Sequence, residues 1–487
     1  MRLLQSLILV MMCGGGITSC RPSPHCTIAP LCPSENWFQE EEMNMTPPPD
    51  MWWTVFEDSF LDQLMHEAFC DNYSLKAAYE RVVQAFYLRK EVLSQYFPTI
   101  NANVNYTESL SQFAFGSAFF GNNIAQNLDI NFANGVKQKV FIAGFDARWE
   151  IDLFGNTYYQ VCAAAAQQQS FQEVYHGVQL SLAAELAREY FTFRWQQSKE
   201  QLLNQLVEAF EEKEQLIAML RQRGIESDFL LLDTENRKEE AQEQLEQLKG
   251  EKAATLFRIG AILGRLPDCF LDMFSVPFSL PQLPQQPSVG IPSEILRRRP
   301  DIRQAEWMVA GAAAEIGVAL TDFFPKLSLL GNGSFERTEF ASLFASGPAW
   351  LYNINVLTPI FEGGRLRAQY QGKRAQWREF VNQYYETVVR AIAESEGAIA
   401  RYQQSLKSLG ASELAYQTQE TQYQKTSILH RSGIADVITL ADAQIRALES
   451  QIQREDRAIE ATVNLVSLYK SLGGGWGEYS HENRTCH

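Results

Sequence analysis

The stretch LKAAYERVVQAFYLRKEVLSQYFPTINANVNY, residues 75–106, changes its period at one proline. Ahead of Pro98 its apolar residues, Ala78, Val82 and Ala85 among them, recur at steps of three and four, the spacing of one helix face. The helix must end near a proline, which has no amide hydrogen to donate. Beyond Pro98, Ile100, Ala102, Val104 and Tyr106 alternate with Asn101, Asn103 and Asn105, which predicts a strand with one apolar and one polar face.

The same unit occurs a second time. Leu75 to Pro98 aligns without gaps on Ile302 to Pro325, sharing Ala78/Ala305, Val82/Val309, Ala85/Ala312 and Phe97-Pro98/Phe324-Pro325. Further along, Arg-Gly-Ile at 223–225 matches Ser-Gly-Ile at 432–434, Asp233 matches Asp442, and Leu263-Gly264 matches Leu472-Gly473, all at one offset of 209. Each half therefore reads helix, strand, strand, long helix, turn, helix.

In the return strand of the first half, Phe145, Ala147, Trp149 and Ile151 interleave with Asp146, Arg148, Glu150 and Asp152, so that face meets water. The second half has weaker copies: Leu327, Leu329, Gly331, Gly333 and Phe335, then Trp350, Tyr352, Ile354 and Val356 against Leu351, Asn353, Asn355 and Leu357. Gly155 closes the first hairpin, and Pro359, Gly363 and Gly364 the second. The stretch from Thr107 to Val136, rich in Phe, Gly and Asn, is too long for a tight turn and is expected to be an external loop. A soluble sandwich also alternates. Aromatics on the apolar faces (Tyr106, Trp149, Phe335, Trp350) in an exported chain fit a lipid-facing barrel wall better.

Four strands cannot close a barrel, because the smallest transmembrane barrels have about eight and are filled by side chains. Copies must pool strands, and three chains make a twelve-stranded barrel with room for water. After the second hairpin, Trp377, Val381, Tyr384, Val388, Ala391, Ala398 and Tyr402 follow a heptad, with Ser395 as its polar break. From Arg365 to the turn near Gly433 is a span of about 100 Å if helical at ~1.5 Å per residue.

The ends carry their own signals. Arg2 followed by the apolar Leu3–Met12 is an export signal, assigned to residues 1–19, and Ile17-Thr18-Ser19-Cys20 resembles a bacterial lipobox whose cysteine, Cys20, receives the lipid. Arg21 in the next position implies outer-membrane sorting. Residues 20–50 form a Pro-rich anchored segment, 51–268 the first repeat, 269–290 a linker, 291–473 the second repeat and 474–487 a flexible tail. Of the cysteines, only Cys26 and Cys32 are close enough to suggest a pair; two free thiols are the alternative. Cys70, Cys162, Cys269 and Cys486 lie far apart and lack metal-ligand spacing.

With 58 acidic and 42 basic residues the formal charge is -16, which argues against a nucleic-acid partner. No HExxH, Walker loop or Gly-x-Ser-x-Gly elbow occurs, so no enzyme and no cofactor beyond the lipid on Cys20 is expected. Arg297, Arg298 and Arg299 before Pro300-Asp301 read as a helix start, with anion binding as the alternative.

Four segments resemble the TolC-like outer membrane factor family, in its lipidated branch. They are IPSEILRRRPDIRQAE with DFFPKL in Ile291–Leu327, PIFEGGRLRA at 359–368, WEIDLFG at 149–155, and SGIAD at 432–436 with LADAQ at 440–444. The resemblance implies a mainly α protein with transmembrane β, a trimeric twelve-stranded barrel continued by a helical periplasmic tunnel. It further implies a passive exit duct engaged by a periplasmic adaptor and an inner-membrane transporter. Carboxylates ring the closed aperture in that family, and Asp442, nine residues beyond Gly433, occupies one such position. The family's second acid is replaced here by Thr439; Asp436 is a possible substitute, and Asp228 and Asp233 occupy the equivalent end of the first repeat. The competing reading is a lipid-anchored periplasmic coiled-coil structural or adaptor protein without a pore.

Overall fold

A computed structural model describes residues 26, 37, 44–111, 136–223, 228–266, 281, 283–338, 343–344 and 347–476. Cys20 and most of the stretch from Thr107 to Val136 lie outside the described residues. After a short 3-10 turn at Trp52–Phe56 come α1 (Ser59–Asp71), α2 (Tyr73–Ser94), β1 (Thr99–Ser111), β2 (Val136–Ile151), α3 (Asn156–Gln222) and α4 (Asp228–Leu263). The second half follows with α5 (Pro292–Arg298), α6 (Pro300–Thr321), β3 (Lys326–Arg337), β4 (Ala349–Leu357), α7 (Arg365–Arg431) and α8 (Val437–Ser471).

The repeat is visible in the element lengths: α2 and α6 have 22 residues each, α3 and α7 have 67 each. Both short helices stop four residues short of their proline, at Ser94 and Thr321. The residue before a proline is pushed out of the helical region, and the chain turns first, with Phe97 N donating to Ser94 O and Phe324 N to Thr321 O, each at 3.0 Å. Gly155 and Gly364, which precede α3 and α7, have φ of 88° and 89°, a conformation that a residue with a Cβ adopts only under strain.

The chain divides into two compact units, which cut across the repeats because the long helices pass from one into the other. The first takes residues 85–167 and 309–379, and the second takes 28–84, 168–308 and from 380 onward. The first holds a four-stranded antiparallel sheet in the order β1-β2-β3-β4. Its strand–helix junctions are tied together: Trp149 Nε1 donates to Tyr96 O at 3.0 Å, Asn156 Nδ2 to Thr321 Oγ1 at 2.8 Å, and Phe154 stacks on Phe324.

The second unit is helical, with a core that includes Trp52, Trp53, Leu186, Tyr190, Phe191, Tyr402 and Tyr469 and a smaller cluster around Leu203, Phe210, Leu245 and Ile445. Each such side chain contributes about 1.5–3 kcal/mol on burial. The heptad residues Val388, Ala391, Ala398 and Tyr402 are all buried in it, and so is Ser395. Its hydroxyl donates to Ala391 O and Ser471 O at 3.0 and 3.1 Å, which satisfies the polar break of the heptad.

One expectation is corrected. The tail does not begin as a loose segment: Gly474 and Gly475 lie against Trp52, and Trp476 stacks on His176 at 4.5 Å while its Nε1 donates to Arg298 O at 3.0 Å. An indole brings more apolar area than a loose tail leaves exposed, so the segment docks. For the cysteines, the free-thiol alternative holds at Cys26, while Cys70 is engaged where the spacing gave no partner. Cys70 is disulfide-bonded, to a partner outside the described residues, and Cys26 is a free thiol, as is Cys162. Sequence proximity is a poor guide to pairing, since a disulfide needs Cα atoms that the fold has brought within ~7 Å.

Candidate pore wall and gate

The register settles which residues share a face. Ile100, Ala102, Val104 and Tyr106 of β1 stand opposite Ala147, Phe145, Ala143 and Phe141 of β2. On β2, Ala143, Trp149 and Ile151 stand opposite Phe335, Leu329 and Leu327 of β3, and Leu327, Leu329, Gly331 and Gly333 stand opposite Val356, Ile354, Tyr352 and Trp350 of β4. Directly opposed residues point the same way, so one apolar face runs unbroken across all four strands. The other carries Asn101, Asn103, Asn105, Asp146, Glu150, Ser328, Asn332, Asn353 and Asn355, with Val140, Ile142, Leu330, Leu351 and Leu357 among its apolar exceptions.

The apolar face is uncovered: Trp350 is 75% exposed, Val104 76%, and every residue of β4 is exposed. So are Phe97, Ile360 and Phe361 at the strand–helix junctions. A soluble sheet buries such a face. This one needs a lipid solvent outside and water within, and β1 and β4 are both unpaired edges that lipid would not tolerate. Gly144 lies on the polar face, where an added Cβ would stand 2.5 Å from Gly333 O and 2.7 Å from Ser334 Cβ.

The four candidate gate carboxylates meet different fates. Asp436 caps α8, accepting from Thr439 N at 2.6 Å, and that bond, reinforced by the Thr439 side chain, holds its carboxyl below the usual range. Thr439 thus has a place in the cap rather than in a ring of acids. Asp228 opens α4 and pairs with Arg221 Nε at 2.6 Å, and Asp233 is solvent-exposed. Asp442 accepts from Lys213 Nζ at 2.8 Å, a lysine only 3% exposed. The repeat is chemically broken here: Asp233 matches Asp442, but Gln422 stands where the other half has Lys213.

Asp442 is one rung of a ladder. Glu449 and Asp456 follow it at heptad spacing on α8, pairing with Arg237 NH2 at 2.5 Å and Lys199 Nζ at 3.0 Å, while Trp195 Nε1 also donates to Asp456. These basic partners were not singled out from sequence. The acids seven apart, and Lys199 and Lys213 fourteen apart, were the available signal.

A family model described as outer membrane efflux protein matches residues 64–265 and 291–474. The chain belongs to the outer membrane efflux protein family. It is 26% identical to the toluene efflux pump outer membrane protein TtgC of Pseudomonas putida over 430 residues, 88% of this chain and 85% of that one. The solved outer-membrane channel OprN superposes with a TM-score of 0.77 at 27% identity, covering 93% of this chain and 98% of its own. The Campylobacter jejuni outer membrane channel CmeC shares the fold, with a TM-score of 0.79 at 20% identity over 94% and 95% of the two chains.

As an outer membrane efflux protein, the chain sits in the outer membrane through its sheet, and its arginine motif has a structural use. Arg299 donates to both Asp301 oxygens at 3.0 and 2.8 Å, to Glu394 at 2.8 Å and to Ser471 O, the last carbonyl of α8, at 2.8 Å. Arg298 holds Pro48 O and Asp50. Arg299 is thereby committed to local partners and Arg298 is tied to the segment before the 3-10 turn, which supports the structural reading of the motif over anion binding. Glu173, 1% exposed, receives Arg303 at 2.7 Å and His176 Nδ1 at 3.1 Å beneath Trp476.

Proposed function

We propose that the chain is one subunit of a homotrimeric, non-enzymatic exit duct, anchored by lipid on Cys20, that receives substrates from an inner-membrane transporter through a periplasmic adaptor. The observation that carries this reading is the four-stranded sheet with one continuous exposed apolar face, an amide-rich opposite face and two unpaired edges. Three copies make twelve strands, enough for a water-filled lumen. Phe229 at the start of α4 and Ile434 in the turn before α8 are both largely exposed and offer apolar contacts to an adaptor.

Reconstitution into a planar bilayer tests the duct. The purified trimer is expected to give stepwise conductance, whereas a monomer without conductance overturns the reading in favour of a coiled-coil adaptor protein. Palmitate labelling that disappears in Cys20→Ser tests the anchor. The gate role proposed for Asp442, with Asp436, Asp228 and Asp233 beside it, is tested through conductance as described in the Discussion.

A further inference from the structure

The helices joined to the two edge strands carry stripes that match. On α2, Glu80, Gln84, Tyr87 and Glu91 follow steps of four, three and four, and all four are exposed. On α7, Arg367, Gln371, Arg374 and Arg378 follow the same steps, and all four are exposed. Such spacing lines one face of each helix.

Neighbouring groups are paired locally, Arg365 with Glu362, Lys373 with Glu315 and Lys326 with Asp322. Arg367, Arg374, Arg378, Glu80 and Glu91 make no ion pair among the described residues; Arg374 lies over the Tyr370 ring at 5.9 Å and near the Cys26 thiol, which is neutral and does not balance its charge. Of the cations beside the α2 stripe, Lys90 is folded back over the Phe86 ring at 4.5 Å, Lys76 pairs with Asp71 at 3.6 Å, and Arg81 is exposed next to Glu80. In a chain of formal charge -16, three exposed arginines in one row without carboxylates call for an anionic partner.

The rows also lie at matching levels. Glu91, Tyr87, Gln84 and Glu80 are 3, 7, 10 and 14 residues from Ser94, the strand-side end of α2. Arg367, Gln371, Arg374 and Arg378 are 2, 6, 9 and 13 residues from Arg365, the strand-side end of α7. The difference is one residue, about 1.5 Å of helix. When the β4 edge of one copy pairs with the β1 edge of the next, antiparallel like the pairs within the sheet, α7 of the first copy is brought beside α2 of the second.

We infer that these stripes form the contact between adjacent copies below the barrel, with Glu91 facing Arg367 and Glu80 facing Arg378 across it, Gln84 and Arg374 between them, and Tyr87 against Gln371. The inference rests on the trimeric reading and specifies which surfaces make the trimer. It gives closure a charge code: the arginine row of α7 is complementary to Glu80 and Glu91 at the two ends of the α2 row.

The test uses the full-length protein extracted from membranes in detergent. Glu91→Cys/Arg367→Cys, treated with a short bifunctional maleimide, is expected to give linked two-chain and three-chain species on denaturing gels, absent from either single variant. Glu91→Arg and Arg367→Glu are each expected to shift the protein from trimer to monomer in light scattering, and the double reversal to restore the trimer. A trimer of correct mass that yields no linked species, and tolerates both single reversals, overturns the pairing while leaving the trimer intact. So does stabilisation of that trimer by phosphatidylglycerol that is lost in Arg367→Glu without any linked species, which would assign the arginines to lipid. A wild-type chain that is monomeric in light scattering removes the trimeric reading itself.

Discussion

At the residue scale, Asp442 is both the carboxylate best placed by sequence for a gate and the partner of Lys213, which is almost wholly buried. Removing the acid strands that ammonium. Asp442→Ala should cost about 3 kcal/mol or somewhat less, since the carboxylate is partly exposed, and adding Lys213→Met should recover most of it, read by thermal unfolding. In single-channel recordings Asp442→Ala should alter conductance or block by multivalent cations, and identical traces would remove it from the gate. Asp436 makes a separate prediction. Because its folded pKa is depressed, its cap stabilises fully above the unfolded carboxylate value of about 4 and is lost as pH falls through the lower folded value. Asp436→Ala should lower stability by about 1 kcal/mol at neutral pH, and the gap from wild type should close in acid.

At the element scale, the two long helices and the four strands follow from period alone; the bounds of the long helices repeat at the offset of 209, those of β1 and β3 nearly repeat at the offset that aligns Pro98 with Pro325, while β2 is longer than β4. The positions that tolerate least are those where two backbones approach. Gly144→Ala puts a methyl group against Gly333 O and Ser334 Cβ, so β2 and β3 must separate locally, at about 1–3 kcal/mol. The loss should be visible as earlier urea unfolding of the sheet by circular dichroism. Ser395 shows the limit of pattern reading. The heptad marks it as a defect, and only the packed core reveals the α8 carbonyl that its hydroxyl serves. The same is true of Arg299, whose four acceptors come from Asp301, Glu394 and Ser471, positions remote in sequence apart from the first.

At the scale of the whole molecule, residues 474–476 are more firmly held than a flexible tail would be. Trp476 lies against His176 and the Arg303 guanidinium, and the glycines before it close over Trp52. Ending the chain after Gly473 should lower the melting temperature, and Trp476→Ala alone should reproduce most of the fall. An unchanged melting curve in both would make the docking energetically idle. Thiol labelling of the unfolded chain should modify Cys26 and Cys162 without reductant, and Cys70 only after reduction.

The repeat, the switch of period at Pro98 and Pro325, and the two faces of each strand were determined by sequence alone, because periodicity is a local property that each segment carries by itself. From them followed the need for several copies, since four edges-and-faces strands cannot close. Tertiary structure decided the pairing of distant charges. Lys213 with Asp442, Arg237 with Glu449 and Arg299 with the end of α8 join positions that no local period relates, and their registry depends on how the helices pack. The docking of Trp476 and the disulfide of Cys70 belong with them, being set by distances in space rather than along the chain.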